Sequence, residues 1–158
     1  MRKDRLIALL ETAEKHTQAG RHRRALDFYR KALSIARAGE WEWELAQVRL
    51  ADLHIQRGEI ASALSHLLRA IEQEPEEPRY LLLVGRVLRM LGQPERASSS
   101  LITACDSEPL RADALIELAY ATTDMGQRRA ARDILAVAAR LQPNHPKLEA
   151  AKRSMLDS

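Results

Sequence analysis

The stretch that decides the fold is GQPERASSSLITACDSEP, residues 92–109. A glycine opens it, Ala97 and Ala104 stand five and twelve positions later, Leu101 lies between them, and Pro109 closes it. The same spacing recurs outward in both directions. Gly126 is followed by Ala131, Leu135, Ala138 and Pro143, and Gly58 by Ala63, Leu67, Ala70 and Pro75. Gly20 is followed by Ala25, Tyr29 and Ala32, with no closing proline. The four glycines are 38, 34 and 34 residues apart. Upstream of them a bulky-small pair repeats as Leu50-Ala51, Val84-Gly85 and Leu118-Ala119, with Thr12-Ala13 as a weaker version. A fixed period of this length is the mark of a repeat array, in which each unit cannot bury its apolar face alone and stacks on its neighbours.

Each recurring residue has a physical task. Glycine ends a helix in the left-handed conformation that a Cβ would penalise, and so allows a tight turn into the next helix. The two alanines share one helical face, where small side chains let two backbones approach closely. Proline cannot continue the preceding helix and suits the start of the next segment. The unit is therefore helix, tight turn, helix, break. Composition agrees: with 46% hydrophobic but only 4% aromatic residues, the core must be built from Ala and Leu, which head the helix-propensity scale. The expected class is all-α.

A chain of 158 residues with 30% charged residues is about one soluble domain. Its 25 basic against 22 acidic residues leave a net charge of +3, too slight an excess to demand nucleic acid. The richest basic cluster, Arg21, His22, Arg23 and Arg24, falls at a turn with no aromatic residues beside it to stack bases, and reads as a solvated turn. Lone Cys105 excludes an internal disulfide and fits a reducing compartment. The N-terminus lacks an apolar signal core, and no apolar run approaches the length of a membrane span. These features predict a cytoplasmic protein with no nucleic-acid or membrane partner.

A 34-residue period with small, Gly, Ala, large, Ala and Pro marks in this order resembles the tetratricopeptide repeat. The resemblance implies a right-handed α-solenoid forming a single domain over residues 1–158, with repeats at about 6–39, 44–77, 78–111 and 112–144 and a capping helix at about 145–156 that carries Leu148, Ala151 and Met155. The chain departs from the family pattern in two ways. Aromatic marks of the first helix are replaced by Leu9, Gln47, Leu81 and Leu115, and by His16, His54, Leu88 and Thr122. Between the first two units four extra residues and the segment from Ala38 to Glu44 stand in place of a proline, which predicts a longer second helix in unit one. Trp41 and Trp43 in that segment cannot both face inward, because residues two apart on a helix point in different directions. One of them is expected to be exposed, as a staple between units or as an anchor for a partner.

The family resemblance further implies a concave groove lined by the first helix of each unit. Unit one would contribute Leu10, Glu11, Glu14 and Gln18, and unit two Val48, Arg49, Asp52 and Gln56. Unit three would contribute Arg79, Leu82, Leu83, Arg86 and Arg89, and unit four Ile116, Glu117, Tyr120 and Asp124. The Lys, Asn and Arg clamp with which some family members hold the C-terminal carboxylates of heat-shock chaperones is absent, since the matching places read Val48, Asp52, Leu83, Asp113 and Glu117. Arginines interleaved with Val48, Leu82 and Leu83 would suit an extended peptide or helix with acidic residues on an apolar stripe. The same charges could instead be solvated or paired at helical spacing, as Arg79 with Glu76 or Arg49 with Asp52.

Nothing in the sequence converges on catalysis. His16 and His54 occupy equivalent places, yet no second ligand lies at helical spacing to either, and they read as packed histidines. His22, His66 and His145 read as isolated, Cys105 as a buried inert thiol, and the glycines serve turns rather than a phosphate loop. The expected function is a non-catalytic scaffold or adaptor, without cofactor or metal, that binds a peptide or helix of a partner protein. A homo-oligomeric assembly protein and a regulatory module of a larger system are the alternatives. The Ala/Arg-rich style points to a bacterial source.

Overall fold

The structure, a computed structural model, describes residues 1–156. The described residues form nine α-helices and one short 3₁₀ turn, with no strand. The chain divides into two compact units, Met1–Pro75 and Glu76–Ser158. The N-terminal unit holds α1 (Arg2–Gln18), α2 (His22–Ile35), α3 (Trp41–Gln56) and α4 (Ile60–Gln73). The C-terminal unit holds α5 (Pro78–Met90), α6 (Pro94–Ala104), the 3₁₀ turn Glu108–Leu110, α7 (Arg111–Asp124), α8 (Arg128–Leu141) and α9 (Leu148–Leu156). None of the described helices is long and apolar enough to cross a membrane.

Consecutive helices pack as hairpins, α1 on α2 and α3 on α4 in one unit, α5 on α6 and α7 on α8 in the other. The repeated alanines explain why. Ala25, Ala32, Ala63 and Ala70 in the N-terminal unit, and Ala97, Ala104, Ala131 and Ala138 in the C-terminal unit, have no exposed surface. Between the alanines sit Tyr29 and Leu67 in one core and Leu101 and Leu135 in the other, all buried. At Gly85 the approach is closer still, because a Cβ there would fall inside the side chain of Leu101 on α6.

The repeat glycines turn the hairpins. Their φ values, 67° to 78° at Gly20, Gly58, Gly92 and Gly126, lie in the left-handed region. The next residue's N–H then donates back across the turn: Arg21 to the His16 carbonyl and Glu59 to that of His54, both at 2.8 Å. In the C-terminal unit Gln93 donates to Leu88 and Gln127 to Thr122, both at 3.0 Å. These bonds satisfy carbonyls that a helix end would otherwise leave unpaired. The acceptors are the four positions that had replaced the second aromatic mark, so backbone geometry holds that register whatever the side chain.

One expectation fails. The second helix of the first hairpin does not run on; α2 stops at Ile35, and Ala36 leaves it with φ −75° and ψ 152°. An ionic clasp provides the reason. Arg2 at the start of α1 donates to the Ile35 carbonyl at 3.0 Å and grips the Glu40 carboxylate, which also accepts the backbone N–H of Arg37 at 3.0 Å. The clasp binds the last turn of α2 and the loop that follows it, where the other hairpins have a proline.

Candidate partner-binding faces

In the N-terminal unit, α1 and α3 lie side by side and, with Tyr29 of α2, line an open pocket of about 340 Å³ formed by Ile7, Leu10, Glu11, Glu14, Tyr29, Trp41, Leu45 and Arg49. Trp41, in the first turn of α3, is 58% exposed at this cavity, whereas Trp43, two residues on, is partly buried. The floor is polar and ordered. The Tyr29 hydroxyl donates to Glu14 Oε2 at 2.8 Å, and burial together with this bond pushes the phenol up to about 12. Arg49 Nε stands 3.5 Å from Glu14 Oε2, and its Nη1 stands 3.9 Å from Asp52 Oδ2. Glu11 is exposed and makes no ion pair among the described residues. The expected groove residues Leu10, Glu11, Glu14 and Arg49 are thus brought together, and Trp41, weighed separately from them, joins the same cavity. Val48 and Asp52 are partly buried beside it.

The C-terminal unit resolves its charges differently. Arg86 Nε and Arg89 Nε each lie 3.7 Å from a Glu117 oxygen, and Arg89 Nη1 lies 3.4 Å from Asp124 Oδ2. Arg89 also sits over the Tyr120 ring, 5.0 Å from its centroid, and burial with the Glu117 charge raises the Tyr120 phenol. Arg79 Nε bonds Glu77 Oε1 at 2.8 Å. Glu117 is only 4% exposed, and Ile116 has no exposed surface. Ile116 was expected on the accessible face; it belongs instead to the core with Ala119, Leu135 and Leu148. The cause is that α7 is packed by α5, α6, α8 and α9, so more of its circumference is covered than a face drawn from period alone allows. Leu82 and Leu83 are partly buried.

The two equivalent histidines are packed, each against a ring of the following helix. His16 stacks on Phe28, with ring centroids 5.3 Å apart. His54 stacks on His66 at 5.4 Å, so His66 is not isolated. His66 Nδ1 is 2.7 Å from Gln47 Oε1, and burial, then the charge of His54, lowers its pKa to about 4. His145 pairs with Asp113 at 3.4 Å. No cluster of three or more metal-ligating side chains occurs among the described residues. Cys105 caps the end of α6 and is only partly buried, its pKa raised by burial and by Asp106. Sequence reasoning also missed Glu42, 1% exposed in the first turn of α3, where a carboxylate suits the helix N-terminus.

Solved structures share this fold. The MamA protein superposes with a TM-score of 0.81 at 15% identity, covering 98% of this chain and 82% of that one. PilF of Pseudomonas aeruginosa gives 0.81 at 22% identity, covering 98% and 69%. YrrB, described as a TPR protein with an unusual peptide-binding site, gives 0.79 at 21% identity, covering 94% and 74%. Alternating hairpins, a 34-residue register and these superpositions make the chain a helical-repeat protein of the α-solenoid class. The tetratricopeptide-repeat profile matches residues 16–87, just under half of the chain. No curated protein matches its sequence significantly.

Proposed function

We propose that the protein is a non-catalytic interaction scaffold, and that the face between the first helices of its hairpins receives an extended peptide or helix of a partner protein. The exposure of Trp41 beside Arg49, at the cavity between α1 and α3, carries this reading. A large amphipathic ring left in water at the mouth of a preformed pocket is the type of side chain that dominates binding energy at interfaces. In the N-terminal unit the contact set is Trp41, Val48, Arg49 and Asp52; Trp43, two residues further along α3, is partly buried. In the C-terminal unit it is Arg79, Leu82, Leu83, Arg86, Arg89 and Tyr120, with Glu117 setting the arginines. YrrB, of like fold, is described by its peptide-binding site, which supports this class of ligand.

The test is affinity capture from lysate with wild type, Trp41→Ala and the triple variant Arg79→Glu, Arg86→Glu, Arg89→Glu, each checked for intact helicity. A protein held by the wild type and lost from Trp41→Ala supports the face in the N-terminal unit, and one lost only from the triple variant supports its C-terminal counterpart. A protein held equally by all three rules out both faces. Self-association is a second reading, favoured by an apolar cavity of about 250 Å³ lined by Leu135, Ala136, Ala139 and Met155 between α8 and α9. Light scattering that shows a monomer at high concentration would exclude it.

A further inference from the structure

The chemistry of the cavity between α1 and α3 narrows what it can accept, an inference that rests on the reading of this face as a peptide site. Its volume of about 340 Å³ is near the lower end of small-molecule pockets, ~300–1,000 Å³, and suits one long side chain. The walls are apolar where a stem would lie: Ile7, Leu10 and Leu45, with the Trp41 ring at the mouth. The charges are unbalanced. Arg49 serves both Glu14 and Asp52, and Glu11 has no ion-pair partner among the described residues. No arginine or lysine lies over Trp41 among the described residues, whereas Arg89 already covers Tyr120 and Lys31 already covers Phe28.

We propose that this cavity anchors a long basic side chain, arginine or lysine, projecting from an extended segment of a partner protein. The stem lies along Leu10 and Leu45, as such stems do on apolar surface. The cationic head meets the Glu11 carboxylate and the face of Trp41, which attract it by charge and by the ring quadrupole. An acidic side chain would face Glu11 and Glu14 without relief, because Arg49 is already engaged. A purely apolar plug would cover Glu11 and strip water from a carboxylate with no partner. Overall charge does not produce the preference: the chain is +3 and repels cations at long range, so selection for a basic residue is local.

The chain has two tryptophans, so Trp43→Phe leaves Trp41 as the sole indole reporter. Three short tryptophan-free peptides, alternating leucine with arginine, with citrulline or with glutamate, are titrated against this variant while its emission is followed. The arginine peptide is expected to shift Trp41 emission to saturation and to bind at least about tenfold more tightly than the citrulline peptide, a difference of about 1.4 kcal/mol. Glu11→Gln is expected to bring the arginine peptide down to the citrulline level and to leave the citrulline affinity unchanged. Equal affinity for all three peptides, or an arginine peptide indifferent to Glu11→Gln, overturns the basic anchor and leaves the peptide face standing. If none of the peptides perturbs Trp41, the anchor falls together with the reading of this face.

Discussion

At matching places in the repeat, the two units treat charge in opposite ways. The place held by exposed Glu11 in α1 and exposed Arg49 in α3 is held by partly buried Leu83 in α5 and by buried Glu117 in α7. In the C-terminal unit two arginines, Arg86 and Arg89, meet two carboxylates, Glu117 and Asp124, and the face is neutral within itself. In the N-terminal unit one guanidinium answers Glu14 and Asp52 while Glu11 is left over beside an exposed indole. A repeat therefore carries its backbone design from unit to unit without carrying its surface chemistry. An account of binding has to be made face by face.

Four substitutions bear on this contrast. The largest effect is expected at Ile116, because a side chain with no exposed surface is core and not contact. Ile116→Ala should lower stability by about 2–5 kcal/mol in urea unfolding; a loss of partner capture with stability intact would return Ile116 to the accessible face. Next comes the bulky-small pair, where Ala51 in the N-terminal unit is matched by Gly85 in the C-terminal unit. Helix propensity alone predicts that Gly85→Ala stabilises by ~1 kcal/mol. Overlap with Leu101 costs roughly 1–3 kcal/mol and should reverse the sign, to a net loss of about 1 kcal/mol. A gain in thermal stability would show that α5 and α6 can part at no cost.

Two smaller effects, both in the N-terminal unit, depend on pH. His66, in the N-terminal unit, has its pKa lowered from 6.5 to about 4, so the unfolded chain binds the proton first as pH falls. Its contribution is present above pH 6.5 and is lost between 6.5 and about 4. The urea midpoint should fall from pH 7 to pH 5 in the wild type, and His66→Gln should flatten that fall. The smallest effect belongs to the clasp. Glu40 is held at about 2 against an ordinary 4.5, first by its bond to Arg2 and then by the Arg37 N–H. The stability difference between wild type and Glu40→Gln should be constant above 4.5 and shrink as pH falls toward 2. A difference that persists at pH 2 would mean that the loop is held by something other than this carboxylate.

Period and residue type alone were enough for the hairpins. Ala25, Ala63, Ala97 and Ala131 must be buried because only a methyl group fits between helices at that spacing, and glycine must stand where the chain turns with positive φ. Leu148, Ala151 and Met155 showed a buried stripe in α9 for the same reason. Those are local or nearest-neighbour requirements, and they repeat along the sequence. The end of α2 did not follow from them, because it depends on Arg2, thirty-three residues before Ile35, reaching back to cap it. The stacking of His54 on His66 likewise joins side chains on different helices that carry no common period.

Helical class, register and the small residues that space the helices follow from residue type and spacing, since each is set by the conformational limits and volume of single residues. Which side chains on those helices meet water is a matter of packing between elements distant in the chain. Burial depends on how many neighbours surround a helix, and α7, packed by four other α-helices, hides Ile116 and Glu117, while α3 leaves Trp41 open beside Glu11 and Arg49.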